Sequence, residues 1–230
     1  MSYILGIDTS STELSTALMK DGAPVASINR YIRNSHAEQI TEAVKYLFAS
    51  TGIGVKDIIA VGVANGPGSF TGLRIGISFL KGLFFGSEVP VLPVSSLESL
   101  AYAWASTRAD GTVMAAMDAR QGRAFCATFE KKGQTWVRLS DDTVVEPADF
   151  TPLGTTGTTI IDRMGYPIGG SFDTLCQDFL TDASTMLLQR GFACATLAMN
   201  NLEKSELFKK IIDIDPEYGQ DSYATRSIKG

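Results

Sequence analysis

The sequence predicts an α/β protein whose second half repeats the plan of the first. Three observations carry this. Strand-like and helix-like segments follow one another as β-β-β-α-β-α-β-α up to about residue 107, an order that implies a mixed sheet with helices on its faces. A second set of three strand-like segments begins at Thr112, so the opening pattern occurs twice. Between the two, residues 62–83 form a buried strand, a Gly-Pro-Gly turn and a helix that is apolar on nearly every side.

In the first half, Tyr3 to Ile7 reads as a strand ending at Asp8-Thr9-Ser10-Ser11-Thr12, a cluster of turn-forming side chains. Leu14 to Met19 is the second strand, Asp21-Gly22 the two-residue hairpin signal, and Val25 to Tyr31 the third strand. Ser35-His36-Ala37-Glu38 matches a capping box, and Ile40, Ala43, Val44, Leu47 and Phe48 make one helical stripe to about Ser50. Ile58 to Ala64 is a buried strand, and Val89 to Val94 is another. A helix follows from Leu97 to about Thr107, behind a second capping box at Ser95-x-x-Glu98.

The second half repeats the opening with strands at Thr112 to Asp118, Arg123 to Lys131 and Gln134 to Leu139. A helix at Pro147 to Phe150, a strand near Thr158 to Ile161, and helices near Ser184 to Arg190 and Leu197 to Ile212 complete the expectation, with Gly165 to Asp173 read as loop. The division between halves falls near residue 108, giving lobes at 1–108 and 109–230.

The helix after the Gly-Pro-Gly turn is the most informative element. Thr71 is placed to act as its N-cap, with Phe70 and Ile75 at the N′ and N4 spacing of a hydrophobic staple. At 100° per residue, Gly72, Gly76, Phe79, Leu80 and Leu83 share one face suited to close packing on a sheet. The opposite face, centred on Arg74 and Lys81, still carries Ile77, Phe84 and Phe85. Such a helix needs cover on both sides, from a second layer of the same chain or from another protein.

Composition narrows the function classes. The 230 residues are 44% hydrophobic and 20% charged, typical of a globular chain, and suffice for one large domain or two. The net charge of −5 makes the chain alone a poor nucleic-acid binder, and the densest basic pairs, Lys131-Lys132 and Lys209-Lys210, form no patch. Cys126, Cys176 and Cys194 are odd in number and far apart, which argues for reduced thiols and against a disulfide framework or a zinc site. A strand begins within three residues of Met1, with no basic segment followed by an apolar one, so the expected compartment is the cytoplasm.

Candidate chemistry is sparse. Gly66-Pro67-Gly68-Ser69-Phe70-Thr71-Gly72 lies between a strand and a helix N-terminus, where phosphate binds in other folds. No Gly-Lys-Ser/Thr follows, and Pro67 removes an amide donor, so a structural turn is the better reading. Ser69 lacks the flanking glycine of a nucleophile elbow, and the single histidine, His36, sits at a helix start. His36 is therefore read as a partly exposed residue at a helix start, free to contact a partner, rather than as a catalytic base. Asp8-Thr9-Ser10 after the first strand and Asp118 after the first strand of the second half occupy matching positions. Two readings stand side by side: carboxylates facing a nucleotide cleft, or caps of two tight turns.

Leu5-Gly6-Ile7-Asp8-Thr9-Ser10, Gly66-Pro67-Gly68-Ser69-Phe70-Thr71-Gly72-Leu73-Arg74 and Met117-Asp118-Ala119-Arg120 together resemble the glycoprotease-like (M22) family, over residues 1 to about 130. The resemblance implies two similar lobes of the actin, hexokinase and Hsp70 type, and a place in the biosynthesis of tRNA threonylcarbamoyladenosine (t6A). The family's catalytic subunit, TsaD, carries two metal-binding histidines in a Val-Asn-His-Leu-Glu-Gly-His segment. The corresponding residues here are Val94-Ser95-Ser96-Leu97-Glu98-Ser99-Leu100, so Ser96 and Leu100 stand where the histidines would be. A leucine cannot ligate a metal and a serine is a poor ligand. The resemblance thus implies a non-catalytic accessory subunit with no metal and no protease activity. Such a subunit pairs with TsaD and, with the ATPase TsaE, supports threonylcarbamoyl transfer to adenosine 37 of tRNAs reading codons that begin with A. The tRNA is met only through the complex, and the free chain forms a homodimer. The expected docking residues are Phe70, Arg74, Ile77, Lys81, Phe84 and Phe85, with His36. No cofactor is required on this reading, although ATP or ADP is left open as a ligand of the Asp8, Thr9, Ser10 and Asp118 cleft. The alternative class is an Mg-ATP-dependent phosphotransferase working through Asp8 and Asp118; a peptidase has no competent nucleophile–base pair.

Overall fold

The computed structural model describes residues 2–32, 36–120, 122–151, 153, 157–162, 180–182 and 189–218. Strands β1 (Tyr3–Asp8), β2 (Glu13–Lys20) and β3 (Ala23–Tyr31) form an antiparallel meander, with Asp21 and Gly22 both at positive φ as the Asp-Gly hairpin requires. Helix α1 (His36–Thr51) leads to β4 (Ile58–Gly66), parallel to β1. Helix α2 (Phe70–Leu83) leads to β5 (Pro90–Ser95), parallel to β4, and α3 (Ser96–Ala105) follows directly. The first sheet therefore runs β3-β2-β1-β4-β5.

The second sheet repeats that order. Strands β6 (Gly111–Asp118), β7 (Ala124–Lys132) and β8 (Thr135–Arg138) form the meander, β9 (Thr143–Val145) pairs with β7, and β10 (Thr158–Asp162) and β11 (Leu180–Asp182) continue parallel to β6. The order β8-β7-β6-β10-β11 matches the first sheet strand for strand, so the chain is an α/β protein of two similar lobes. Helix α4 (Arg190–Asn200) and the short β12 (Lys209–Lys210) then return to the first sheet, β12 pairing antiparallel with β5. In the opposite sense α3 packs beneath the second sheet, its Leu97, Leu100, Ala101 and Trp104 clustering with Val113, Phe129 and Ile160.

Period-2 alternation decides which helix meets which strand face. Leu5, Ile7, Val61, Val63 and Val91 turn toward α1 and α2, while Ile4, Ala60, Ala64, Leu92 and Val94 turn toward α4. Both faces of β1 are covered, so all six of its residues are buried. The α4 side needs backbone-to-backbone approach: a Cβ on Gly6 would lie 1.8 Å from the Gly191 carbonyl oxygen, and one on Gly62 would lie 2.0 Å from that of Cys194.

Several local expectations change. Ser69, not Thr71, caps α2: its backbone is extended and its hydroxyl accepts from the Gly72 N–H at 3.2 Å. Phe70 is then the first helical residue, and the Phe70–Ile75 staple dissolves. The helix expected at Pro147 to Phe150 is a single 3-10 turn. Helix α4 begins at Arg190, ahead of the helix expected from Leu197, because its Ala-, Cys- and Gly-rich face packs on strands without a large-residue stripe. After Asn200 the chain runs through 3-10 turns and β12 instead of continuing as helix. Ser35 and Gly165 to Asp173 lie outside the described residues, as do 184–188. Cys126 and Cys194 are both buried; Cys176 is outside the described residues. Among the described residues, no helix is long and apolar enough to cross a membrane.

Candidate functional site

The glycine-rich loop and the start of α2 form a seat for the β1–β2 turn. A Cβ on Gly68 would meet the Ser10 carbonyl at 2.4 Å, and one on Gly72 would meet the Thr9 carbonyl at 2.1 Å. Into that space the Thr9 hydroxyl donates to the Gly72 carbonyl at 2.8 Å, and the Ser69 N–H donates to the Ser10 carbonyl at 2.7 Å. The loop's glycines thus receive protein backbone, which explains their number through packing.

Helix α2 is sheltered on two sides by its own chain. Ile77 is 2% exposed and Phe84 1% exposed, both in one cluster with Ile40, Ala43, Val44 and Leu47 of α1. These two residues belong to the first-lobe core and cannot be docking anchors, contrary to the sequence expectation. The helical wheel fails at Phe84 because that residue is the C-cap, with non-helical φ −106° and ψ 21°. What remains outward is narrower: Phe85 at 88% exposure, Phe70 at 51%, and exposed Arg74, with Lys81 half-buried. Tyr46 of α1 and Ile212 are exposed as well. His36 is the first residue of α1, and its side chain lies outside the described set.

A feature missed from sequence crosses this helix. Residues 214–218 run over the outer side of α2: Lys81 pairs with Asp215 at 3.3 Å, the Arg74 Nε donates to the Tyr218 hydroxyl at 2.7 Å, and the Tyr218 ring stacks on Phe70 at 4.6 Å between centroids. The Arg74 guanidinium also lies 3.9 Å from the Phe70 ring centre, a cation–π distance.

The cleft candidates are placed differently from a nucleotide site. Asp8 is 1% exposed; its Oδ1 accepts from the Ser10 N–H at 2.8 Å and the Ser10 hydroxyl at 2.6 Å, and its Oδ2 accepts a short bond from Ser99 of α3. Thr9 and Ser10 are buried too. Asp118 is half-buried and accepts from the Arg120 N–H at 2.6 Å, the geometry of a turn cap. A Mg-nucleotide needs an accessible carboxylate, and Asp8 is sealed by its own chain, so these residues do not fit one as they stand.

Beside Asp8 lies a buried cation, Arg190, which donates to Asp162 of β10 and sits 4.0 Å from Glu13 of β2. Burial by itself would lower the Arg190 pKa. Asp162, then Asp8 and Glu13, reverse that and raise it above the ordinary guanidinium range. Arg190, Asp162 and Glu13 were not singled out in the sequence; nothing there brings residues 13, 162 and 190 together.

The positions that the resemblance gives to metal ligands hold a buried hydroxyl, Ser96, and a buried aliphatic chain, Leu100. Among the described residues the Ser96 hydroxyl has no hydrogen-bond partner. Glu98, between them, does not close a capping box: its carboxylate accepts from the Trp136 indole N–H at 3.1 Å and from Arg138 at 3.0 Å, tying α3 to β8. This donor set does not fit a metal centre, and among the described residues no group of three or more His, Cys, Asp or Glu could hold one.

A family model for TsaD, tRNA N6-adenosine threonylcarbamoyltransferase, matches residues 30–215. The tRNA threonylcarbamoyladenosine biosynthesis protein TsaB of Escherichia coli is 36% identical over 146 residues, 63% of this chain and 62% of that protein. The protein of the same name from Bacillus subtilis is 34% identical over 151 residues, 65% of each chain. The chain thus spans less than two thirds of the length of these curated relatives. Among solved structures, YeaZ from Pseudomonas aeruginosa superposes with a TM-score of 0.79 at 26% identity, covering 95% of this chain and 100% of that one.

Proposed function

The chain belongs to the TsaD, or tRNA N6-adenosine threonylcarbamoyltransferase, family, and from that premise we propose that it is a non-catalytic partner subunit in t6A biosynthesis. The observation that carries this reading is the pair Ser96 and Leu100, both buried, in place of the family's metal-binding histidines. A chain without those ligands cannot hold the metal centre of the catalytic subunit, whereas it keeps the two-lobed scaffold. The relatives named for t6A biosynthesis support the same pathway.

On this reading the chain docks on a TsaD-type catalytic subunit through the outer side of α2 and adjoining α1, and acts in the cytoplasm. Phe85 is the principal anchor, since a nearly fully exposed phenylalanine gains most from a partner's cover. Phe70, Arg74 and Lys81 frame it. With TsaE the assembly moves the threonylcarbamoyl group from its adenylate to N6 of adenosine 37 in tRNAs reading codons that begin with A. The chain meets tRNA only through the complex, and self-associates through the same surface when alone. No cofactor of its own is required: the Asp8 carboxylate is already committed to Ser10 and Ser99.

The test is reconstitution of t6A formation from purified TsaD-type subunit, TsaE, threonylcarbamoyl-adenylate synthesis and tRNA, with and without this chain. Modification that depends on the chain, with no ATP turnover by the chain alone, supports the reading. Modification at full rate without it, or ATP turnover abolished by Asp8→Ala, contradicts it and favours the phosphotransferase alternative.

A further inference from the structure

We infer that the docking surface is composite: residues 214–218 form a fixed strap that the catalytic partner grips together with α2, so that Tyr218 and Asp215 are recognition residues. The inference rests on the docking reading above and deepens it. Without the strap, Phe70 and Arg74 would be free anchors on the helix. With it, they are held in one cluster with Tyr218, and among the described residues the most exposed large apolar side chain is Phe85, just past the C-cap of α2, with Ile212 exposed as well.

A partner faces two options, to displace the strap or to accept it. The contacts favour acceptance. Ile214 is buried in the first-lobe core, so lifting the strap would expose it. The Glu217 N–H donates to the Asn65 carbonyl at 2.6 Å, extending the end of β4. Gly66, at φ +135°, leaves room for that crossing, since a Cβ there would lie 1.7 Å from the Glu217 carbonyl oxygen. The fold thus reserves space for the strap. With Ile214 turned inward, Asp213, Asp215 and Glu217 stand exposed along the outer side. The partner chemistry that matches is an apolar centre over Phe85 with basic groups at the rim over the strap.

The experiment is a titration of purified TsaD-type subunit with wild type, Tyr218→Ala, Asp215→Arg and Phe85→Glu, each checked by circular dichroism. The expected result is that Tyr218→Ala and Asp215→Arg each weaken association about tenfold or more while Phe85→Glu abolishes it. Asp215 is largely solvent-exposed, so its variant retains a readout should Tyr218→Ala fail to fold. Tyr218→Ala binding as tightly as wild type, or more tightly, with Phe85→Glu inactive, overturns the strap and leaves docking intact. Loss of self-association alone assigns the strap to a second copy and overturns it too. Normal binding by Phe85→Glu removes the docking reading, and this inference with it.

Discussion

Arg190 of α4, a helix packed on the first sheet, donates from Nη2 to Oδ2 of Asp162 on β10 of the second sheet, and both side chains are buried. The two lobes are thereby joined by a charge pair at the depth where Asp8 and Glu13 also lie. Burying ions is costly, and their attraction offsets that cost only while both partners remain.

Removing one partner should therefore be severe. Arg190→Met is expected to lower stability by about 3–5 kcal/mol, because it removes the buried cation that pairs with Asp162 and faces Glu13 and Asp8. Urea unfolding followed by circular dichroism measures it. Adding Asp162→Asn to that variant should recover part of the loss; a single variant within about 1 kcal/mol of wild type would disprove the role of the pair.

The glycines test the packing of α4. Gly6→Ala should destabilise by at least the roughly 1–3 kcal/mol usual for overpacking, because the obstacle at 1.8 Å is a backbone carbonyl that cannot swing aside. Gly82 in α2 has nothing within 4 Å of its absent Cβ, so Gly82→Ala should stabilise by about 0.5–1 kcal/mol through helix propensity. Thermal melts of the two variants should move in opposite directions.

Ile77 within α2 and Phe85 just past its C-cap separate core from surface. Ile77→Glu buries a carboxylate in the cluster shared with α1 and should leave no cooperative melt. Phe85→Glu lies in solvent and should keep the wild-type melting temperature to within a few degrees. A cooperative, wild-type-like melt for Ile77→Glu would return that residue to the exposed surface.

The Cys194 thiol is pushed up well above its ordinary value of 9.0 by burial first and by the charge of Asp8 second. The fold thus holds the thiol proton more tightly than the unfolded chain does. This contribution to stability is complete below the unfolded value and declines as pH rises past it. Alkylation of Cys194 should follow global unfolding even at alkaline pH, as read by mass-resolved labelling at rising urea. Rapid labelling of the native chain would place the thiol at the surface.

The first half was largely legible because each of its elements carries a local signal. Asp21-Gly22 sets the hairpin, Ser95 caps α3, and the stripe through Ile40, Val44 and Leu47 sets the buried face of α1. The glycine-rich turn was legible as a turn, but its purpose was not, since the Thr9 and Ser10 backbone that fills it lies some sixty residues away. Apolarity around α2 correctly called for cover on both sides. A wheel cannot say that α1 supplies it at Ile77, nor that Phe84 leaves the helix as its C-cap. Small-residue helices hide as well, for α4 meets the sheet through Gly191, Ala195 and the Cys194 backbone, which leave no stripe of large side chains. The strap and the Arg190 cluster are tertiary, and sequence spacing carries no trace of either.

The central claim is that the exposed surface at the end of α2, led by Phe85, binds a TsaD-type catalytic subunit. Its most direct measurement is the dissociation constant of that complex for wild type and Phe85→Glu at matched folded concentration. Wild type should form a stable heterodimer, and Phe85→Glu should lose at least about 2 kcal/mol of binding, roughly thirtyfold. Equal affinity for the two chains, or no association by wild type, would contradict it.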